Sequence, residues 1–371
     1  MPRRGNSKQR MQLQERINAF VKLGAFLKEI PQNQETFQLL AQKAQEHNGW
    51  FTEAAICQAL DYWGSTLSEA SLTQWTVRIA SGGKSGAMVA VIMAGNIPLV
   101  GFHDFLSVLI SGHRIVAKLS SNDTVLLPYL ASKLIEIEPR FEPFIHFSED
   151  KLPPFDAVIA TGSNNTAMYF EHYFGKYPNI IRKNRNGIAV LNGKETPETL
   201  SELARDIFTY FGLGCRSVSK VYLPEAYDFK TFFEAMYSQR EAIHHHKYIN
   251  NYDYNKAVYL MSNVPLLDNE FMLLKEDQGL ASPISVVYYE YYKSLEILQA
   301  KLEGMKDEIQ CVVANSGLPN EIPFGKTQSP ELWEYADGVD TLLFWPICRI
   351  LKSLYTEKVF VVIPFNFVEI L

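Results

Sequence analysis

The chain has 371 residues, of which 47% are hydrophobic, and its formal net charge at pH 7 is −6. A chain of this length and composition can bury one large core or two moderate ones. The absence of a basic excess argues against a nucleic-acid-binding protein. The cysteines Cys57, Cys215, Cys311 and Cys348 lie far apart without the spacing of a zinc site, which is typical of a protein in the reducing cytoplasm.

The N-terminal tail, Met1–Arg10, is cationic, and a Gln/Glu-rich sequence follows it instead of an apolar signal core. We therefore expect a disordered tail. Residues 1–80 then show apolar positions at helical spacing, among them Ile17 and Phe20, and are predicted to form a helical N-terminal segment without recognisable chemistry. The longest apolar stretch, Ala87–Ile110, is interrupted by polar residues and a proline, so we expect no transmembrane segment.

A strand, helix and strand unit is predicted near the start of the first domain. The apolar run from Ala87 ends at Gly95–Pro98, as a strand buried on both faces would. The helix-like segment Val100–Ser111 and a second strand, Arg114–Lys118, follow it. Such a unit should be parallel and right-handed.

A third predicted strand, Ala157–Ala160, ends in Thr161, Gly162 and Ser163 and opens a helix that runs to about Phe174. Ligands of parallel sheets bind beyond the carboxyl ends of the strands. Backbone N–H groups and hydroxyls at a helix start suit a phosphate, so we expect a nucleotide there.

Each of these strand ends also has a structural explanation. Thr161 or Ser163 can simply cap a helix, Asn96 can shape a turn, and Lys118 can be a solvated charge instead of a ligand of ribose or phosphate. The G-x-G-x-x-G fingerprint of ordinary dinucleotide-binding domains is absent.

Cys215 lies on a glycine-flanked turn between a predicted amphipathic helix, Pro197–Phe211, and a predicted strand, Lys220–Leu223. Gly214 leaves the sulfur uncrowded, and the cation of Arg216 would favour the thiolate. These features indicate a nucleophile. The alternative is a cysteine that acts only as a small buried hydrophobe.

Six short motifs occur in an order that resembles a known family. They are Ala94–Pro98, Gly112–Ser120, Ala160–Ser163, Gly212–Cys215, Phe324–Lys326 and Tyr335–Thr341. Between about Ser81 and Phe344 the sequence is similar to the LuxC-type fatty acyl-CoA reductases, a branch of the aldehyde dehydrogenase superfamily. The resemblance implies an aldehyde-dehydrogenase-like α/β fold with two Rossmann-like parallel-sheet domains and a helical N-terminal segment.

We divide the chain accordingly. Residues 1–80 form the helical segment, 81–190 the nucleotide-binding domain, 191–330 the catalytic thiol domain and 331–371 a C-terminal segment that completes the fold or a subunit interface. Superfamily members often add a C-terminal strand to a neighbouring subunit, and Tyr355–Val362 could do so in a homo-oligomer. Packing within the monomer explains this segment equally well.

The resemblance also implies residue roles. Cys215 would attack the acyl carbonyl of an acyl-CoA, and Asn96 would form the oxyanion hole with the backbone N–H of the thiol residue. Lys118 and Ser120 match positions that hold the adenosine ribose and its phosphate, and Ser163 matches one near the pyrophosphate. Room for a 2′-phosphate beside Lys118 makes NADPH the first choice of cofactor, with NADH as the alternative.

One departure from the superfamily concerns the direction of the reaction. Oxidising members carry a glutamate that activates water, whereas the corresponding stretch here, Arg182–Val190, contains no carboxylate. We therefore expect reduction, not hydrolysis, of the thioester. Glu276 resembles the carboxylate that binds the nicotinamide ribose, although its spacing to the following glycine and proline is unusual and a surface role is an alternative.

The sequence thus predicts NADPH-dependent reduction of a fatty acyl-CoA, of long chain by resemblance, through an acyl thioester on Cys215. An acyl-phosphate reductase and a non-catalytic nucleotide-binding scaffold of an acyl-transfer complex remain alternatives. The run His244–His246 is not expected to bind a metal, because adjacent side chains diverge and no partner ligand is suitably spaced. The nearby tyrosines could line an acyl channel or fill an interface.

Overall fold

The computed structural model describes residues 11–77, 79, 86–149 and 151–344. The chain folds into two compact units. Within the described residues, the first unit contains those up to Asn48, those of Ile56–Arg182 and those from Val339, and the second contains Gly49–Ala55 and Lys183–Gly338. The C-terminal strand predicted at Tyr355–Val362 lies outside the described residues.

Among the described residues, four α-helices precede the first sheet. They are α1 (Leu13–Glu29), α2 (Gln34–His47), α3 (Glu53–Thr66) and α4 (Glu69–Thr76). The residues at helical spacing in α1, including Ile17, Phe20 and Leu23, are buried, so its apolar stripe packs into the core. The predicted helical N-terminal segment is confirmed. None of the helices in the described ranges is long and apolar enough to cross a bilayer.

The first sheet has five parallel strands in the order β3-β2-β1-β4-β5. Its elements are β1 (Met88–Ile92), α5 (Phe102–Ile110), β2 (Arg114–Lys118), α6 (Leu126–Ile137), β3 (Ile145–Phe147), β4 (Ala157–Thr161), α7 (Asn164–Phe174) and β5 (Asn179–Arg182). β1 lies in the centre, where Val89 pairs with both Ile115 and Ala157. The predicted strand, helix and strand unit is therefore present, and β2 has the predicted bounds.

The strand order of the first sheet reverses at β1. The chain moves outward from β1 to β2 and β3, and then continues on the other side with β4 and β5. The carboxyl ends of β1 and β4 therefore border the crevice in which sheets of this kind bind ligands. Asn96 follows β1, and Thr161 ends β4.

The second sheet has seven strands in the order β12-β11-β6-β7-β10-β9-β8. Its elements are β6 (Asn186–Val190), α8 (Pro197–Phe208), β7 (Val218–Pro224), α9 (Phe229–Met236), α10 (His246–Met261), β8 (Leu267–Asp268), β9 (Leu273–Glu276), β10 (Val286–Tyr292), α11 (Leu295–Gly304), β11 (Ile309–Val313) and β12 (Glu321–Ile322). Its strand pairs are parallel except for β8 with β9. The apolar faces of α8 and α9 pack on this sheet.

The division between the units falls after Arg182, whereas the sequence placed a domain boundary at residue 190. The difference concerns β6. This strand pairs with β7 on one side and with β11 on the other, so it is a central strand of the second sheet.

We predict that Asp104→Ala destabilises the first unit strongly. The Asp104 carboxylate accepts a hydrogen bond of 2.7 Å from Arg182 Nη2, and both side chains are almost fully buried. Removing one partner of a buried ion pair leaves a buried charge and costs about 3–5 kcal/mol of the free energy of unfolding. Urea unfolding would measure this loss.

The exposed pair Lys133–Glu136 supplies the matched control. Glu136→Ala should change the free energy of unfolding by about 1 kcal/mol or less. Equal effects of the two substitutions would show that the buried Asp104–Arg182 pair contributes no more than an exposed pair.

Candidate active site

Cys215 occupies the corner of a tight turn in the second unit. The N–H of Ser217 donates to the carbonyl oxygen of Gly214 at 2.9 Å and closes the turn around Cys215 and Arg216. The Cys215 side chain is exposed, whereas Gly214 and Ser217 are buried on either side of it. The backbone is therefore fixed while the sulfur remains accessible.

A strained segment leads from α8 to this turn. Tyr210, Phe211 and Gly212 have φ values of 53°, 56° and 77°, all in the left-handed region. The helix predicted to reach Phe211 therefore ends at Phe208, because left-handed residues cannot continue it. For the two non-glycine residues this conformation costs about 1–3 kcal/mol each, so the surroundings must hold it.

Aromatic packing holds Phe211. Its ring centroid lies 5.3 Å from that of Trp50 and 4.5 Å from that of His245. The His245 ring stacks on Trp50 and forms a hydrogen bond of 2.9 Å with the carbonyl oxygen of Gly49. The segment that leads to the thiol thus rests on a packed cluster.

A buried carboxylate, Asp206, connects α8 to the turn at residues 325–328. Its two oxygens accept hydrogen bonds from the N–H groups of Gly325 at 2.6 Å and Thr327 at 3.0 Å. Burial raises the pKa of Asp206, and the two N–H donors oppose the rise. Asp206 is 1% exposed, so water cannot take its place as the acceptor for these donors.

The turn at residues 325–328 also binds the residues that follow Cys215. Arg216 Nε donates to the carbonyl oxygen of Thr327 at 2.6 Å, and Arg216 Nη2 lies 3.5 Å from Glu334. The amide of Gln328 donates to the hydroxyl of Ser217 at 3.1 Å. Arg216 therefore anchors the thiol turn, while its predicted effect on the thiolate stays a prediction.

Gly187 of β6 permits the turn to approach the sheet. A Cβ at this position would lie 2.4 Å from the carbonyl oxygen of Arg216 and 2.7 Å from that of Ser217. Real Cβ atoms do not come so close to backbone oxygens, so the thiol turn needs glycine here.

Cys311 of β11 lies beneath the turn. Its thiol donates to the carbonyl oxygen of Arg216 at 3.6 Å, and burial raises its pKa to about 12. A thiol with this pKa stays protonated and is not a nucleophile near neutral pH. Of the cysteines in the described part of the chain, Cys215 alone is exposed.

A small, partly open cavity of about 50 Å³ lies in the second unit. Phe211 and Gly212 line it before the thiol in sequence, and Val218 and Ser219 line it after the thiol. Its other walls include the apolar residues Phe208, Met272 and Ile284 and the polar residues Ser282 and Ser285. Its volume corresponds to that of a few water molecules.

In the first unit, Asn96 is exposed on the loop after β1. The amide of Asn48 donates to the carbonyl oxygen of Gly95 at 3.0 Å. A Cβ on Gly95 would lie 2.7 Å from that of Ser120, so the loops after β1 and β2 are in close contact. The loop is thus held on both sides of its backbone.

Asp123 fixes the far end of this loop. Its Oδ2 accepts a hydrogen bond of 3.3 Å from the N–H of Leu99, a residue with φ of 59°. Its Oδ1 is buried and has no hydrogen-bond partner among the described residues. Burial raises the pKa of Asp123 to about 7, although the N–H groups of Leu99 and Leu126 oppose the rise.

Lys118 and Ser120 lie at the end of β2, next to the Asn96 loop. Both residues are buried. Lys118 Nζ donates to the carbonyl oxygen of Glu149 at 3.0 Å, and the Ser120 hydroxyl accepts from the N–H of Asn122 at 3.3 Å. Their predicted contacts with adenosine ribose and phosphate stay predictions.

Thr161, Gly162 and Ser163 form the turn between β4 and α7. The Ser163 hydroxyl accepts from the N–H of Thr166 at 3.2 Å and so caps the helix. Gly162 is buried against Thr166 and Phe170, with its N–H directed to the carbonyl oxygen of Arg182 at 3.3 Å. The structure thus brings Asn96, Lys118, Ser120 and this turn to one edge of the first sheet.

Glu276 lies at the end of β9 in the second unit and is exposed. Cys215 belongs to the same unit and is also exposed. The adjacent Lys275 and Asp277 form an ion pair, and Asp277 also accepts from the N–H of Gly279 at 2.8 Å. The loop after Glu276 is therefore ordered by its own side chains. The predicted contact of Glu276 with nicotinamide ribose stays a prediction.

The histidine run has structural contacts. His244 lies 3.7 Å from Glu241, and His245 is part of the aromatic cluster with Trp50. Within the described residues, no group of three or more His, Cys, Asp or Glu side chains could hold a metal ion.

Sequence reasoning missed Asp206 and Gly187, which support the thiol turn. A signal for Asp206 was present, because it follows Leu203 by three residues and so falls on the buried face of an amphipathic helix. A carboxylate in that stripe requires buried donors. Gly187 gave no comparable signal.

Comparisons with known proteins concern both the sequence and the fold. A family model described as acyl-CoA reductase (LuxC) matches residues 68–260, more than half of the chain. The match includes Asn96, Lys118, Ser163 and Cys215. Among curated proteins, none matches the chain in sequence.

Several solved structures share the fold. Aldehyde dehydrogenase 21 from Physcomitrella patens, in complex with succinate, aligns with a TM-score of 0.57 and 15% identity over 78% of this chain and 71% of its own. An aldehyde dehydrogenase from Bacillus cereus, in complex with NAD+, gives 0.54 and 15% over 83% and 72%. Lactaldehyde dehydrogenase from Escherichia coli gives 0.58 and 13% over 83% and 75%. The predicted aldehyde-dehydrogenase-like architecture is confirmed.

We predict that Asp206→Ala lowers the stability of the second unit. The N–H groups of Gly325 and Thr327 would lose their buried acceptor, at a cost of about 1–3 kcal/mol for each unsatisfied group. Urea unfolding would measure the loss. Glu198→Ala, an exposed change on the same helix, is the control, and an equal effect of both would contradict the role of Asp206.

A second prediction concerns pH. Since the pKa of Asp123 is raised to about 7 in the folded state, the folded protein binds a proton that the unfolded chain releases. Stability from this group is present at low pH and is lost as pH rises from about 4 through 7, by up to about 1.4 kcal/mol per pH unit.

Asp123→Asn should remove this dependence while keeping an acceptor for the N–H of Leu99. We expect the stability difference between the variant and the native protein to grow in favour of the variant between pH 5 and 8. Parallel pH profiles of thermal unfolding would contradict the assignment.

Proposed function

Since the chain belongs to the acyl-CoA reductase (LuxC) family and is an oxidoreductase, we propose that it reduces a fatty acyl thioester of coenzyme A to the aldehyde through a covalent intermediate on Cys215. The observation that carries this proposal is the exposed thiol on a turn whose backbone is clamped from several sides. A fixed, accessible sulfur is what attack on a carbonyl requires.

In the first step, the Cys215 thiolate attacks the acyl carbonyl carbon. A new C–S bond forms, the bond to the sulfur of coenzyme A breaks, and free coenzyme A leaves as a thiol after taking up a proton. The acyl group remains on Cys215 as a thioester.

We propose that the side-chain amide of Asn96 and the backbone N–H of Cys215 donate to the oxygen that becomes negative during this attack. Asn96 is exposed on a loop that Asn48 and Asp123 hold in place. A preorganised donor of this kind contributes about 2.7–4 kcal/mol to stabilisation of the transition state.

The lack of a carboxylate in the segment Arg182–Val190 supports reduction of the acyl thioester over its hydrolysis. The segment lacks a carboxylate, and its Arg185 lies 3.2 Å from Asp337 and 3.9 Å from Asp307. A cation engaged in this way offers no general base for water. We therefore expect the acyl thioester on Cys215 to persist until a reductant reacts with it.

The donors at the edge of the first sheet suit a dinucleotide. An ammonium at Lys118 and the helix start at Ser163 are attractive to phosphate, and Ser120 and Thr161 add hydroxyls. We propose NADPH, with Lys118 beside the 2′-phosphate and Glu276 against the nicotinamide ribose, and NADH as the alternative. When bound, the nicotinamide would supply a hydride to the acyl carbon. Cys215 then leaves as the thiolate, and free aldehyde is released.

The resemblance to LuxC-type reductases supports a long acyl chain, and the small cavity near the thiol turn has room for only a few of its atoms. Its walls include Phe208, Met272 and Ile284, and residues on both sides of Cys215 line it. About 25 cal/mol is gained for each Å² of apolar surface removed from water, so contacts of an acyl chain with these apolar walls would favour binding. We propose a preference for long over short acyl groups on the basis of the family resemblance.

The test uses the purified protein with NADPH and acyl-CoA thioesters of increasing chain length. We expect nicotinamide oxidation and release of coenzyme A thiol in equal amounts, with the highest kcat/KM for long chains. Cys215→Ala should abolish both signals, whereas Cys311→Ala should retain the chemistry because that thiol is buried.

Other outcomes would redirect the assignment. Thiol release without NADPH oxidation would mean that acylation occurs with the wrong hydride donor, and NADH would then replace NADPH in the assay. Turnover of acyl phosphates instead of thioesters would favour the acyl-phosphate reductase, and nucleotide binding without any reaction would favour the scaffold.

A further inference from the structure

β7, the strand that follows the thiol turn, contains a bulge at Ser219. Its register with β6 moves from Gly187 opposite Val218 to Ile188 opposite Lys220, which leaves Ser219 without a ladder partner in β6. Successive side chains of a regular strand point to opposite faces, and a bulge changes that direction. Ser219 and Lys220 can thus reach the same neighbour.

That neighbour is the loop between β9 and β10, residues 277–285. The Ser219 hydroxyl donates to the carbonyl oxygen of Leu280 at 2.7 Å. Lys220 Nζ donates to the carbonyl oxygen of Gln278 at 2.9 Å. Two consecutive residues of β7 therefore hold two carbonyls of the loop that begins directly after Glu276.

Lys220 has little freedom to move. Its side chain is fully buried, and burial lowers its pKa, a change that the carboxylate of Glu290 opposes from 2.7 Å. Glu290 also pairs with Lys301 of α11. A buried ammonium is tolerated only where charged and hydrogen-bonding partners are fixed, so this site forms a rigid support.

We propose that Ser219 and Lys220 are positioning residues that hold the loop after Glu276, so that the Glu276 carboxylate keeps a fixed place against the nicotinamide ribose. This inference rests on the proposed function. Ser219 and Lys220 come four and five residues after Cys215 in the same continuous segment. One strand therefore supports both the nucleophile and the carboxylate for the hydride donor.

The experiment separates acylation from reduction. Acylation is followed as coenzyme A thiol released in the first turnover without NADPH, and reduction as NADPH oxidation in the steady state. Ser219→Ala and Lys220→Met should raise the KM for NADPH and slow its oxidation by about tenfold or more. In Lys220→Met, acylation should stay within about twofold of the native rate. In Ser219→Ala, whose side chain also lines the cavity, acylation should fall by less than NADPH oxidation does.

Two further variants serve as controls. Ser219→Thr keeps a hydroxyl and should restore NADPH oxidation relative to Ser219→Ala. Lys301→Met removes the other partner of Glu290 without touching the loop, and should leave both steps within about twofold. If Lys220→Met does not fold, the comparison of Ser219→Ala with Ser219→Thr tests the inference.

Equal losses in acylation and reduction would show a general structural role and overturn the inference. Unchanged NADPH kinetics in Ser219→Ala would also overturn it. Absence of both thiol release and NADPH oxidation in the unsubstituted protein would instead overturn the proposed function, and the inference with it.

Discussion

The position of the Cys215 thiol depends on the buried carboxylate of Asp206. The backbone N–H groups of Gly325 and Thr327 both donate to this carboxylate, which fixes the turn at residues 325–328. That turn accepts a hydrogen bond from Arg216, the residue after Cys215. A nucleophile must be exposed to reach its substrate, yet attack requires placement to within about 0.5 Å. Here the side chain is exposed while the backbone on both sides is bound. Covalent chemistry on an accessible residue becomes possible because of this separation.

Strain and close packing are concentrated around the same turn. Tyr210 and Phe211 adopt left-handed conformations before it, and Gly187 admits the carbonyls of Arg216 and Ser217 after it. Such conformations persist only where the surrounding contacts determine them. The second sheet supplies these contacts through β6, β7 and β11, and a bulge in β7 directs side chains toward the loop after Glu276. The strands of the second sheet therefore also hold the thiol turn in place.

Much of the fold could be predicted from local sequence patterns. The strand Arg114–Lys118 has the bounds predicted from its apolar run, and the glycines around Cys215 indicated an exposed turn. Contacts between distant residues were not accessible in this way. Asp206 and its donor at Gly325 are separated by 119 residues in the chain, and the register shift at Ser219 depends on the neighbouring strand. Helix length was overestimated at Phe211 for the same reason, because periodicity does not reveal a φ that tertiary packing imposes.

If Cys215 carries the acyl group, the peptide that contains this residue must gain the mass of that group, and mass spectrometry of the peptide is the decisive measurement. The protein would be mixed with a long-chain acyl-CoA in the absence of any nicotinamide cofactor, quenched in acid and digested with a protease. We predict a mass gain of one acyl group on the Cys215 peptide, and hydroxylamine should remove this group. No adduct, or an adduct on Cys57 in place of Cys215, would contradict it.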